Sequence, residues 1–472
     1  MNLVKRAGFI LGPLLFISIL LTDAGHTPLA TKVLAVAAWM LVWWLTEALP
    51  IFITAMLPMV LFPALGIMPL KETFMPYGSP IVFLFLGGFI IALAMEERKL
   101  HERIAFGLVR LTGTDLRGVV FGFMIATALV AMWISNTATA VMMLPIALSV
   151  IALVAKQADE ATAARFSLLL LLGIAYAANI GGTITLIGTP PNLVFAGYYF
   201  EAFGEEFSFV RWLKYGIPIG VGMLLLTYVL LTSVIFPIRE RKVKGVQELF
   251  DAKWAALGPM QLPEKLVLTV FSLTVFCWVF STQINGVLGA SVLNNTNIAM
   301  AGGLLMFMVP VSWKRGDFLL DWKSTQRLPW GILILFGGGL ALAGGLEHAG
   351  IIHLVGEWVA EHAGTSPFML CLGLTVVALF ATEVMSNVAL VTVLLPVVFG
   401  IAQSMGIKVT YLAIPVTLAA SCAFMMPIST PPNAVVFASG RITVGQMARA
   451  GIWINLLAVI LIVGVMQILG GQ

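Results

Sequence analysis

The chain has 472 residues, of which 60% are hydrophobic and 10% charged, with a mean hydropathy of +1.02. A soluble globular domain carries about 25% charged residues, so this composition excludes a soluble fold and predicts an all-α polytopic membrane protein. The net charge of +4 comes from loop lysines and arginines, which report topology and not nucleic-acid binding.

Residues Met1 to Arg6 followed by an apolar run to Leu21 mimic a signal peptide, but no A-x-A-like cleavage site follows, so the segment reads as the first membrane helix. Further spans are predicted near 32–50, 51–67, 80–95, 166–200, 214–236, 265–282, 297–312, 330–346, 410–440 and 451–470, giving about eleven with the first at 7–22. Two other apolar stretches, 118–154 and 366–405, are each cut by a Ser-Asn motif: Ser135-Asn136-Thr137 in the first and Ser386-Asn387-Val388 in the second. Each is expected to be a re-entrant hairpin with its tip in mid-membrane.

Loop charge supports that parity. With the N-terminus inside and both hairpins returning to their own side, 21 of the 26 basic residues fall inside, and the outside keeps Lys32, Lys71, Arg211, Lys214 and Lys408. The segment from Pro80 through Gly87-Gly88 to Glu97 resembles that from Pro329 through Gly337-Gly338 to Glu347. Each precedes a hairpin, a broken span and a final span. The chain therefore reads as an N-terminal helix (1–31), a first repeat (32–236), a cytoplasmic linker (237–264) and a second, inverted repeat (265–472).

The broken spans carry Gly188-Thr189-Pro190-Pro191-Asn192 and Ser429-Thr430-Pro431-Pro432-Asn433. Proline lacks an N–H and disfavours helix in the residue before it, so a helix must end there; the next begins with Thr as N-cap and Pro at its first position. Hairpin tips and breaks together offer hard oxygen ligands at helix C-termini, suited to Na⁺, and helix N-termini suited to an anion. No lysine or arginine lies in these motifs, so a divalent anion there needs co-bound cations. A lone Ser-Asn-Thr more often glues helices together, but the same costly arrangement at matched places in two halves implies one binding site made twice over, as in secondary transporters.

In combination these motifs, with Trp43-Trp44-Leu45-Thr46-Glu47-Ala48, resemble the divalent anion/sodium symporter family of di- and tricarboxylate and sulfate carriers. The resemblance covers nearly the whole chain. It implies a plasma-membrane homodimer with a static scaffold and an elevator-type transport domain. It also implies one Na⁺ site at Ser135, Asn136 and the backbone of Gly188, and a second at Thr382, Asn387 and the backbone near Met385 and Ser429. Substrate would meet Asn136, Thr137, Thr189, Asn387, Thr430 and the backbone around Pro190 and Pro431. Two positions depart from the pattern: Val388 stands where a full second motif has Thr, and Ala131 stands where the second hairpin has Thr382.

The expected function is Na⁺-coupled symport of a small di- or trivalent anion, most simply a carboxylate. A sodium-independent exchanger of the same fold is the alternative, ahead of a channel or a membrane-embedded hydrolase. No H-E-x-x-H or G-x-x-x-x-G-K-[ST] pattern is present, and Cys277, Cys371 and Cys422 lack metal-ligand spacing. Neither an enzyme activity nor an organic cofactor is therefore expected. Glu47 is expected to make a structural hydrogen bond. Glu383 is expected either to tune the second cation site or to face an outer vestibule. Glu96-Glu97-Arg98-Lys99 reads as a wetted charge run, the acidic and histidine-bearing segment Glu347 to His362 as a solvated helix, and Trp43, Trp44, Trp254, Trp313, Trp322 and Trp330 as interfacial anchors.

Overall fold

A computed structural model describes residues 3–22, 27–111, 113–238, 243–362 and 366–470. Five helices open the chain: α1 (Leu3–Leu21), α2 (Pro28–Thr46), α3 (Ile51–Thr54), α4 (Leu57–Ala64) and α5 (Leu70–Phe74). A fixed order then follows. A Gly-Gly helix α6 (Pro80–Glu97) leads into a short amphipathic α7 (Leu100–Arg110) and a hairpin of α8 (Leu116–Ala131) and α9 (Asn136–Ala155). Next come the interrupted pair α10 (Glu160–Ile184) and α11 (Pro190–Phe203), and the long α12 (Phe209–Val229).

Beyond α13 (Val246–Ala256), which lies inside the predicted linker, come α14 (Leu262–Leu288) and α15 (Asn295–Met308). The order then repeats: α16 (Trp330–His348), α17 (Ile351–His362), the hairpin α18 (Pro367–Ala381) and α19 (Asn387–Ser404), the pair α20 (Val409–Ala420) and α21 (Pro431–Phe437), and α22 (Val444–Leu469). Among the described residues the only sheet is the hairpin of β1 (Pro310–Ser312) and β2 (Asp317–Phe318).

Among the described residues, ten helices are long and apolar enough to cross a membrane. The set lacks three of the predicted spans and gains two helices; the span expected near 410–440 is divided into α20 and α21, each too short to cross. The span expected near 51–67 is split into α3 and α4, with Pro50 ahead of α3 and Pro58 at the start of α4. The span expected near 297–312 stops at Met308, because Val309 precedes Pro310 and takes an extended conformation that leads into β1. In the other direction, α9 and α19 are each long enough to cross although each is only the second limb of a hairpin.

Several charged and aromatic residues brace the fold where the sequence suggested solvent. Arg98 donates to the carbonyls of Leu319 (3.0 Å) and Phe318 (2.7 Å), and Arg327 pairs with Glu97 at 2.7 Å, so the Glu96 to Lys99 run ties α6 to the β-hairpin and to the start of α16. Arg103 of α7 holds the buried Glu264 of α14 through two bonds (3.0 and 3.1 Å), donates to the carbonyls of Leu257 and Gly258, and lies over the Trp254 ring. A buried carboxylate persists because such bonds replace its lost water.

Trp43 and Trp44 are buried, not interfacial. Trp43 packs against Phe9 of α1, and Trp44 donates its indole N–H to the Ile51 carbonyl at 2.9 Å. Trp313, Trp322 and Trp330 are exposed, as expected of anchors. On α17, His353 faces Glu357 at 3.4 Å; the side chain of His362 and the basic linker residues Arg239, Arg241 and Lys242 lie outside the described residues.

Candidate functional site

Each half builds its break in the same way. The amide of Asn192 donates backwards to the carbonyls of Gly182 (3.2 Å) and Thr185 (2.8 Å). In the second half the amide of Asn433 donates to Ala423 (3.0 Å) and Met426 (3.1 Å). Both asparagines thus reach back ten and seven residues along the chain. The prolines deprive the preceding helix of its continuing N–H donors, and the last residue of T-P-P-N supplies them from its side chain. Sequence reading had left Asn192 and Asn433 without a role. The signal was their fixed spacing after the double proline.

Thr189 and Thr430 take the extended backbone of an N-cap, but neither hydroxyl caps its helix. The expected Thr cap is therefore only a backbone cap. Because two prolines fill the first positions of α11 and α21, those ends also present few N–H donors. The hairpins behave differently. Ser135 caps α9 by accepting from Ala138 N at 3.2 Å, while Ser386 makes no side-chain cap on α19. The free N–H groups of the site therefore come from the starts of α9 and α19, and the substitution at Val388 removes a hydroxyl but not its N–H.

Hairpin tips dock on the breaks in both halves. In the first half the Thr185 hydroxyl donates to the Met132 carbonyl at 2.5 Å. Asn136 lies so close to α10 that a Cβ on Gly182 would sit 2.5 Å from Asn136 Oδ1, and that Oδ1 is buried with no hydrogen-bond partner. In the second half the Thr382 hydroxyl lies 2.6 Å from Asn387 Oδ1 and 2.6 Å from the Ala420 carbonyl. A hydroxyl carries one proton, so three oxygens share it.

Glu383 does not face a vestibule. It is buried, and its carboxylate accepts from the backbone N–H groups of Phe424 (2.8 Å), Met425 (3.0 Å) and Met426 (3.2 Å), from the Ser429 hydroxyl (2.7 Å) and from the Asn455 amide (2.8 Å). Glu47 is exposed in a left-handed backbone conformation at the end of α2 and pairs with Lys5 at 3.1 Å.

One cavity of about 990 Å³ joins these parts. It is lined from the first half by Ser135, Asn136, Thr137, Gly188, Thr189 and Pro190. From the second half come Met385, Asn387, Val388, Ser429, Thr430 and Pro431. Of the residues assigned from the sequence to the ion and substrate sites, Thr382 alone stands back, fully buried behind Asn387. Asn179, which sequence reading passed over, also lines the cavity. Among the described residues, the only lysine and arginine in its wall are Lys5 and Arg327, both ion-paired and both at helix ends, where with Glu47 and Glu96 they frame an opening.

A multispan helical protein with two docked hairpins and two interrupted helices around one shared cavity is a membrane transporter by architecture. The comparisons agree. Residues 5–470 match the family model described as the sodium:sulfate symporter transmembrane region, and the chain belongs to that family, the divalent anion/sodium symporters. It is 39% identical to the Sodium-dependent dicarboxylate transporter SdcS of Staphylococcus saprophyticus, over 99% of this chain and 92% of the relative. It is also 39% identical to the protein of the same name from Staphylococcus aureus strain NCTC 8325, over 97% of this chain and 89% of the relative. Among solved structures, the crystal structure of the Alcanivorax borkumensis YdaH transporter matches with a TM-score of 0.54 at 12% identity, covering 85% of this chain and 87% of that one, a likeness of fold. The protein is an integral membrane transporter and not an enzyme.

Proposed function

We propose that the protein carries a small dicarboxylate inward together with Na⁺. The observation that carries this reading is the cavity itself. Four helix starts and two oxygen clusters open onto it, and away from its ion-paired rim it has no basic side chain among the described residues. Two carboxylates cannot be held there by hydrogen bonds alone, because fixed dipoles supply only fractions of a charge. Bound cations complete the balance. The unpartnered Asn136 Oδ1, with Ser135 and the backbone at Gly188, makes one cation site. Thr382, Asn387 and the Ala420 carbonyl, with backbone from Met385 and Ser429, make the other. Substrate carboxylates lie between them, against Asn136, Thr137, Thr189, Pro190, Asn387, Val388, Thr430 and Pro431. The names of the two staphylococcal relatives support both the ion and the substrate class.

Transport proceeds by elevator-type alternating access. The hairpins, the interrupted helices, α12 and α22 form the moving unit, and α7 and α17 are the arms that join it to a scaffold. The protein acts as a homodimer in the plasma membrane with a cytoplasmic N-terminus, so the opening framed by Lys5, Glu47 and Arg327 faces inward. Uptake of labelled succinate, citrate and sulfate into proteoliposomes, with Na⁺ replaced by choline, tests the reading. Succinate uptake that collapses in choline is expected; undiminished uptake without Na⁺ rejects symport in favour of exchange.

A further inference from the structure

The two T-P-P-N threonines differ in one respect that the motif does not disclose. Thr430 accepts a hydrogen bond from the side-chain amide of Asn179 at 3.0 Å. Thr189 has no such neighbour: the T-P-P-N alignment puts Ala420 at the position matching Asn179, and Ala420 has no polar side chain. Asn179 belongs to α10 of the first half, is buried and lines the cavity.

The orientation of its amide is fixed by chemistry. Asn433 spends its Nδ2 on the carbonyls of Ala423 and Met426, so its Oδ1 faces Asn179 as an acceptor. The Ala423 carbonyl, 3.4 Å from Asn179 Nδ2, is also an acceptor only. Asn179 therefore turns Nδ2 and not Oδ1 to all three neighbours, and of its two N–H groups one goes to the nearest of them, occupying a lone pair of the Thr430 oxygen, while the other two acceptors share the second. Thr430 donates to no protein acceptor among the described residues, and it lines the cavity. Its one proton is left to point at the ligand.

The geometry points to Asn179 as a positioning residue: it holds the Thr430 hydroxyl as a hydrogen-bond donor toward one carboxylate of the substrate, so that a first-half side chain completes the second half-site. The inference rests on the dicarboxylate reading above. It makes the two carboxylate positions unequal, one met by a pre-oriented donor and the other by the free rotor of Thr189.

The test is Na⁺-dependent labelled succinate uptake in proteoliposomes by the wild type, N179A, T430V and the double variant, with KM and maximal rate taken separately. A neutral hydrogen bond is worth about 1 kcal/mol. N179A is therefore expected to raise KM about fivefold with the maximal rate nearly unchanged, and T430V to raise it by at least as much. The double variant should match T430V, because Asn179 acts through that hydroxyl. A wild-type KM in N179A, or a double variant whose loss is the product of the two single losses, overturns the assignment. Should N179A yield no folded protein, N179D keeps the volume but draws the Thr430 proton to itself and adds charge beside the anion. Uptake by N179D should then fall below one tenth of wild type, and wild-type kinetics would overturn the assignment equally. Absence of succinate uptake by the wild type marks failure of the dicarboxylate reading itself, a result distinct from either variant outcome.

Discussion

The two halves place their helix breaks at matched positions but hold them open by different means. In the first, α10 stays helical to Ile184, and only residues 185–189 are irregular before α11. In the second, α20 stops at Ala420, and residues 421–430 are irregular before α21. One more turn has unwound, and its N–H groups need acceptors. Glu383 provides them. The matching residue of the first hairpin is Met132, which offers only its backbone carbonyl to Thr185. A neutral, nearly complete helix therefore faces a half whose irregular segment is organised by one buried acid. The extra turn also frees the Ala420 carbonyl, which Thr382 reaches.

The largest expected effect follows from that acid. Glu383→Ala leaves three N–H groups and the Asn455 amide without their acceptor, while the Ser429 hydroxyl keeps the backbone carbonyl of residue 383 at 2.9 Å, and each orphan costs about 1–3 kcal/mol. The second half should lose its break geometry altogether, seen as a large fall in melting temperature of the detergent-purified protein and loss of uptake. Glu383→Gln keeps the volume and one acceptor oxygen, so it should fall between Ala and wild type. Met132→Ala, at the equivalent place, should leave the backbone carbonyl and the fold intact. A variant at Met132 that proved as damaging as Glu383→Ala would mean that the halves are braced alike.

Next in size are the two asparagines. Asn136→Ala and Asn387→Ala should each abolish Na⁺-dependent uptake. Their stabilities should differ: Asn136 Oδ1 is unpartnered, whereas Asn387 Oδ1 touches Thr382. Asn387→Ala should therefore lower the melting temperature more. Thermal shifts with succinate should require Na⁺ in the wild type and be lost in both variants, because ligand stabilisation reports linked binding. Persistent uptake in either variant would remove that tip from the site.

Much of this was open to sequence reading because proline and Ser-Asn breaks are local features. A double proline ends a helix wherever it lies, so both interruptions and both tips are where the motifs predict. The partners of Glu383 were not legible. Phe424 and Asn455 lie 41 and 72 residues further along the chain, and no local pattern links them. Asn179 could have been found, since an asparagine inside a long apolar run is costly enough to demand a role. The burial of Trp43 depends on α1 lying along α2 and that of Trp44 on a core shared with Phe62, Leu335 and Ala389, tertiary facts that the W-W motif does not encode. The early end of α15 was available in principle from Val309-Pro310.

Val388 sharpens the comparison on the substrate side. The N–H of Val388 remains at the start of α19, so Val388→Thr adds a hydroxyl to the cavity without changing the helix end. The second tip then matches the Thr137 side of the first. A several-fold change in the competition between succinate and bulkier or hydroxylated carboxylates is expected, with folding unaffected. An unchanged competition profile would take that side chain out of the recognition surface.

The smallest effect lies outside the cavity, in the short amphipathic helix α7 of the first half. His101 of α7 is buried, with Nδ1 3.0 Å from the Met95 carbonyl. Burial pushes its pKa below the ordinary value of 6.5, against the opposing pull of that carbonyl and of Glu102. The folded protein therefore keeps the ring neutral at a pH where the unfolded chain would protonate it. Stability from this group is constant above pH 6.5, falls as pH drops below 6.5, and stops falling once the folded pKa is passed. His101→Phe should flatten that part of the curve of melting temperature against pH. The second half differs in geometry here: His353 on α17 is solvent-exposed beside Glu357. A slope left unchanged by His101→Phe would mean that burial does not set this ring's titration, and the asymmetry of the halves would then be confined to the breaks.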